Sequence, residues 1–194
     1  VALLITSSMT MFLAVLPTAW LVARFHRALE CYAAPGARQL ATMALAAGTI
    51  LTSFSTTLNN HTVSAVLIFV ACEAAWSGRG LAAGAWVALA TCIDIVPGLV
   101  FAAPVAVMVW DLGGWRGPLR FLSAMGMGAI VFVAVNLWIV GSPFPPKMVP
   151  GATEYSGRVA ASVAGVILPQ SWSYPFATLF GWHGFFSVSP VLLL

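Results

Sequence analysis

Long runs of apolar residues alternate with short polar interruptions. Residues 1–23 (VALLITSSMTMFLAVLPTAWLVA) hold no charge, and as helix they span about 35 Å, enough for a hydrocarbon core of roughly 30 Å. Pro17 lies within this run and predicts a kink, which packed membrane helices tolerate. Residues 24–38 bring Arg24, His26, Arg27, Glu30 and Arg38 around the turn pair Pro35-Gly36 and predict a polar loop. Apolar character returns at 39–52, breaks over Thr52 to Thr62 (TSFSTTLNNHT), and resumes at 62–77 until the turn Ser77-Gly78-Arg79-Gly80.

Leu81 to Trp110 lacks Lys and Arg altogether. One helix of that length would measure about 45 Å, well beyond the core. Its middle holds Asp94 and Pro97, so it reads as two short helices, 81–93 and 95–110, turning at Asp94–Pro97. After the loop Asp111 to Pro118 comes a clear span at 119–140, then a Pro-, Gly- and Ser-rich outer loop over 141–183, and a partial apolar segment at 184–194. The expectation is an all-α, polytopic transmembrane helix bundle of about six spans plus a partial last helix, forming one membrane domain over 1–194. A run already apolar at Val1 and a span half complete at Leu194 read as an internal fragment of a longer chain.

Composition narrows the class. Hydrophobic residues make up 61% and charged residues 7% of the 194, where soluble domains carry roughly 25% charged. Thirteen charges cannot clothe a soluble surface, and a disordered or disulfide-stapled chain is excluded as well. The net charge of +3 includes no basic run of the kind nucleic acids require, so no nucleic-acid partner is expected. Cys31, Cys72 and Cys92 have no metal-ligand spacing and read as packing thiols. No cofactor is expected, and no metal is indicated.

Charge placement sets the topology. With 24–38 in the cytoplasm and a helical pair at 81–110, Arg24, Arg27, Arg38, Arg79, Arg116 and Arg120 fall inside and Lys147 and Arg158 outside, the usual asymmetry. Trp20, Trp76, Trp110 and Trp115 then mark the inner boundary, and Trp138, Trp172 and Trp182 the outer one. The same arrangement collects Asn60, His61, Asp94, Lys147, Glu154, Tyr155 and His183 on the outer side as a candidate substrate-binding site.

Each of these residues has a plainer alternative. Asp94 is either a functional intramembrane carboxylate or a helix cap at the turn. His61 is a proton carrier, metal ligand or phosphate donor, or an interfacial histidine bonded to backbone. Lys147 binds phosphate or snorkels to the interface. Glu154 and Tyr155 sit at a Gly-flanked turn that solvent alone could explain, and His183 stands between Trp182 and Gly184.

Several segments, in order, carry a likeness: Thr57-Leu-Asn-Asn-His61, Gly80-Leu-Ala-Ala-Gly84, Ala90-Thr-Cys-Ile-Asp94-Ile-Val-Pro97, Gly141-Ser-Pro-Phe144, Glu154-Tyr155-Ser156, and Leu179-Phe-Gly-Trp-His183-Gly running on to Pro190. Over roughly residues 40–194 the chain resembles bacterial integral-membrane glycosyltransferases of the GT-C fold, the dolichyl/polyprenyl-phosphate-mannose-protein mannosyltransferase-like proteins. The resemblance implies multi-pass insertion in the bacterial inner membrane and sugar transfer from a polyprenyl-phosphate carrier to an acceptor on the periplasmic face. It implies a bilayer and a polyprenyl-phosphate-linked sugar as partners. The family's catalytic carboxylate usually lies in a first outer loop, which an internal fragment of this extent is expected to lack. Cys92-Ile93 and Ile95 depart from the usual residues around Asp94, so the resemblance does not make Asp94 the catalytic base. Inverting transfer needs donors for the leaving phosphate, a role open to His61, Lys147, Arg158 and His183. A transporter or flippase with Asp94 as coupling or substrate-binding carboxylate is the alternative, and a non-catalytic membrane subunit is a third.

Overall fold

The structure, a computed structural model, describes residues 2–49, 51, 55 and 60–145. Among these residues it is all-helical, without strands. They fall into two units, one ending at Val66 and the other starting at Leu67.

The first unit opens with α1 (Ala2–Thr10), a π-helical turn (Met11–Val15) and α2 (Leu16–Ala28), which form one continuous helical path. The π turn explains how Pro17 is accommodated. Proline offers no N–H and crowds the preceding turn, and here the Leu16 N–H reaches back to the Met11 carbonyl in a wider i→i−5 ring. An inserted π turn is one of the few ways a helix absorbs such a defect.

The predicted 24–38 loop is corrected by the structure. Arg24 and Arg27 remain helical in α2, a 3₁₀ turn covers Leu29–Cys31, and α3 (Pro35–Ala47) starts almost at once. Two local causes account for this. Arginine is a good helix former, and Pro35 in a first helical turn forfeits an N–H that would have had no partner anyway. Arg38 closes the hairpin by pairing with Glu30 at 3.1 Å.

A fourth helix, α4 (Asn60–Trp76), begins in the first unit and ends in the second. It stops in a turn that the Ser77-Gly78 pair dictates: Gly78 takes φ 69°, and the Gly78 and Arg79 N–H groups donate to the Ala75 and Ala74 carbonyls at 2.8 and 2.9 Å. A left-handed residue closed by this pair of bonds is the Schellman arrangement, favoured by glycine because no Cβ is strained.

The second unit continues with α5 (Gly80–Ile93), α6 (Ile95–Gly113) and α7 (Arg116–Val140). Close backbone approaches give their directions. A Cβ on Gly80 would meet the Gly117 carbonyl at 2.8 Å and Val109 at 2.9 Å, one on Gly84 would strike the Phe121 backbone, and one on Gly128 would meet Ala88. The start of α5 therefore lies beside the end of α6 and the start of α7. Helix α6 runs antiparallel to α5, while α7 runs parallel to it.

The packing is that of a membrane protein. Along α5 the buried residues are Gly80, Ala83, Gly84, Val87, Ala88 and Ala90, a stripe with helical period, while the larger Leu81, Trp86 and Leu89 point outward. In water the large apolar side chains would be inside. Against lipid tails there is no such drive, and small residues at the contact let backbones approach closely. Ala71, Ala74 and Ala75 of α4 join Val87, Val105, Val109 and Phe121 in the same core. Among the described residues, three helices are long and apolar enough to cross a membrane: Leu4–Cys31, Ile95–Gly113 and Arg116–Val140. The helices Asn60–Trp76 and Gly80–Ile93 are apolar but shorter. The 184–194 segment and the 141–183 loop beyond Pro145 lie outside the described residues.

The ends of the second unit differ in charge. Arg79, Arg116 and Arg120 gather at the end where α5 and α7 start, with Trp76, Trp110 and Trp115 exposed there. The opposite end carries Asp94 and the exit of α7 at Gly141, where φ 71° lets a left-handed glycine finish the helix.

Candidate functional site

Asp94 is the single non-helical residue between α5 and α6, at φ −144° and ψ 100°. Its backbone serves both helices. The Asp94 N–H donates to the Ala90 carbonyl at 2.8 Å, and its carbonyl accepts from the Gly98 N–H at 3.2 Å. Such a tight reversal demands a small residue one turn into α6, and Gly98 supplies it: a Cβ there would collide with Thr91. Pro97 costs nothing in the first turn of a helix.

Asp94 is 7% exposed, and its carboxylate makes no cap hydrogen bond to the start of α6. Helix capping, one of the two sequence readings of this residue, is therefore not its role. A buried carboxylate beside a helix N-terminus feels the positive end of the dipole, and in an apolar environment it must face a partner or a polar cavity. Its chemistry is to accept a proton or hydrogen bond from a hydroxyl, or to hold a cation.

The remaining predicted residues are distributed as follows. Asn60 and His61 are exposed in the first turn of α4, within the first unit, whereas Asp94 belongs to the second. Lys147, Glu154, Tyr155 and His183, like Arg158, lie outside the described residues. Among the described residues, no three His, Cys, Asp or Glu side chains come together as a metal site.

Two features escaped the sequence reading. Glu73 was absorbed into the apolar run at 62–77, yet it is a half-buried carboxylate on α4 whose carbonyl takes both the N–H and the hydroxyl of Ser77, at 3.0 and 2.9 Å. The signal was available, because an acidic residue among apolar neighbours is the same signal that singled out Asp94. The second feature is His26. Treated as part of a loop, it had no expected partner, but the α2–α3 hairpin sets its Nδ1 2.9 Å from the Thr42 hydroxyl. That hydroxyl donates its one proton to the Arg38 carbonyl at 2.8 Å. Nδ1–H must then be the donor to Thr42, which leaves Nε2 as the nitrogen available to an outside group.

His26 and Thr42 sit at the polar end of a groove of about 650 Å³ in the first unit, whose wall is formed by Val15, Ala19 and Val22 of the helical path. A smaller hollow of about 350 Å³ lies between Trp110 and Pro118 in the second unit. Neither coincides with Asp94. No protein-family model, no curated protein and no solved structure matches this chain.

Proposed function

We propose that the chain is part of a multi-pass glycosyltransferase of the bacterial inner membrane, which moves a sugar from a polyprenyl-phosphate donor to an acceptor on the outer face. In this reading about six crossings and a partial last helix form one membrane domain, and Asn60, His61, Asp94, Lys147, Glu154, Tyr155 and His183 line the substrate site. The observation that carries it is Asp94. A buried carboxylate, not spent on capping, lies at the end of the second unit opposite Arg79, Arg116 and Arg120. By the positive-inside tendency the arginine end faces the cytoplasm, so Asp94 faces outward. The ordered segments resembling the polyprenyl-phosphate-sugar transferases add the reaction class.

The chemistry assigns Asp94 to binding the sugar or acceptor hydroxyls, and His61 and Lys147 to the phosphate that leaves. Replacing His61 or Lys147 by Ala in the full-length protein is expected to lower transfer from a lipid-linked sugar by about 10²-fold, the usual cost of one donor to developing charge. Unchanged turnover in both variants rejects the assignment.

The broken helix pair favours a second reading. Transporters often place a substrate or coupling carboxylate at an interruption between two short helices. Proteoliposome uptake that is lost in Asp94→Asn, with no transfer activity in the parent protein, would establish that reading instead.

A further inference from the structure

The groove of the first unit has two chemically distinct halves. Its mainly apolar wall follows Val15, Ala19 and Val22 along one side of a helical path, with the hydroxyl residues Thr18 and Ser55 also on the lining, and its far end is made by His26, Arg27 and Thr42. From Val15 to Arg27 the helix rises about 18 Å. This path, Leu4–Cys31, is long and apolar enough to cross a membrane, so the apolar half of the groove lies at hydrocarbon depth. The cationic half lies where the chain leaves the apolar run for the α2–α3 hairpin, at headgroup level. Arg38 is neutralised by Glu30, whereas Arg27 pairs with no carboxylate among the described residues. Thr42 holds the imidazole of His26 by Nδ1 and so leaves Nε2 to meet a ligand.

A body that is apolar for most of its length and cationic at one end, open along a membrane-crossing helix, complements an amphiphile with an anionic head. We propose that this groove holds an anionic glycerophospholipid of the surrounding bilayer, one acyl chain lying against Val15, Ala19 and Val22 and the phosphodiester meeting Arg27 and His26. The lipid acts as a resident part of the first unit, and its binding stands independently of the sugar-transfer reading. A zwitterionic lipid brings its own ammonium group, which offsets the phosphodiester charge that the arginine would otherwise meet. Free phosphate would leave the apolar wall uncovered.

The test is thermal unfolding of the full chain in neutral detergent, titrated separately with phosphatidylglycerol, phosphatidylcholine and inorganic phosphate. Phosphatidylglycerol is expected to raise the midpoint, and the other two to leave it in place. Arg27→Gln is expected to weaken the phosphatidylglycerol response about fivefold, the effect of one basic side chain at an anionic headgroup, and added salt weakens it further. Ala19→Phe fills the groove at an exposed position and abolishes the response, while Arg120→Gln, on the second unit, retains it. A phosphatidylglycerol response undiminished in both Arg27→Gln and Ala19→Phe overturns the proposal. So does an equal response to phosphatidylcholine or to inorganic phosphate. Binding of polyprenyl phosphate in its place, with phosphatidylglycerol inert, also overturns it and assigns the groove to a sugar donor.

Discussion

The two units solve the same problem of burial in different ways. In the second, helices touch through glycine and alanine, and a Cβ on Gly84 or Gly117 would run into neighbouring backbone. Two of its inward polar side chains are satisfied by their own helix: Thr91 donates to the Val87 carbonyl at 2.8 Å and Asn136 to the Phe132 carbonyl at 2.9 Å. The first unit buries little apolar surface, with Ala14 and Leu21 the fully buried apolar residues of its N-terminal helices among the described residues. It relies on side-chain bonds across a hairpin, Glu30 to Arg38 and His26 to Thr42, and the buried hydroxyls of Thr18 and Ser64 find no partner among the described residues. Backbone contact tolerates no added atom, whereas a hairpin held by a few polar side-chain pairs tolerates many changes. The second unit should therefore be brittle and the first forgiving.

That contrast breaks most visibly at Gly84. Gly84→Leu is expected to destabilise the second unit by about 3 kcal/mol, as overpacking of a close contact does, and to lower the yield of folded protein in detergent. Gly126 provides the control on the same bundle, because a Cβ there meets nothing within 4 Å. Gly126→Ala should raise the unfolding free energy by about 0.5–1 kcal/mol through helix propensity alone. Equal losses at the two positions would show that glycine spacing does not organise this unit.

A smaller loss, about 1 kcal/mol, is expected from Thr42→Val in the first unit, which removes the part-buried bonds of the Thr42 hydroxyl to His26 and to the Arg38 carbonyl. A denaturant series that finds a cost as large as that of Gly84→Leu would remove the distinction between the units. Smallest of all is Glu30→Gln. Its partner geometry is good, but the Glu30 side chain is 58% exposed, and exposed pairs contribute only a few tenths of a kcal/mol. Its unfolding midpoint should match the parent, and more closely still at high salt.

How much of this was legible in sequence depends on the kind of signal. The break at Asp94 was, because a 30-residue apolar run with a carboxylate and a proline at its middle cannot stand straight in a bilayer. The Ser77–Gly80 turn was legible for a similar reason, since a glycine after a helical run is a terminator. The 24–38 segment was misread. Its charges resemble a loop, yet charged residues extend a helix past the membrane boundary as readily as they interrupt one. The predicted site is legible only in part. Asp94 is buried as expected of an intramembrane carboxylate, but its freedom from a capping role depends on side-chain geometry that no spacing reveals. Glu73 is hidden in sequence by the apolar residues on either side of it, which keep the run at 62–77 hydrophobic despite one carboxylate.

The sequence by itself determined that this is a helical membrane protein, where its chain reverses around Asp94, and at which points its few charges enter. Scarcity did that, since thirteen charged residues in 194 leave the apolar periodicity almost uninterrupted. Only the tertiary structure decided which helices run parallel, that small residues face inward while Leu81, Trp86 and Leu89 face out, and that His26 meets Thr42 across a hairpin. The physical reason is that hydrophobicity is nearly uniform around these helices. In lipid it no longer tells inside from outside, and side-chain size and backbone contact decide instead.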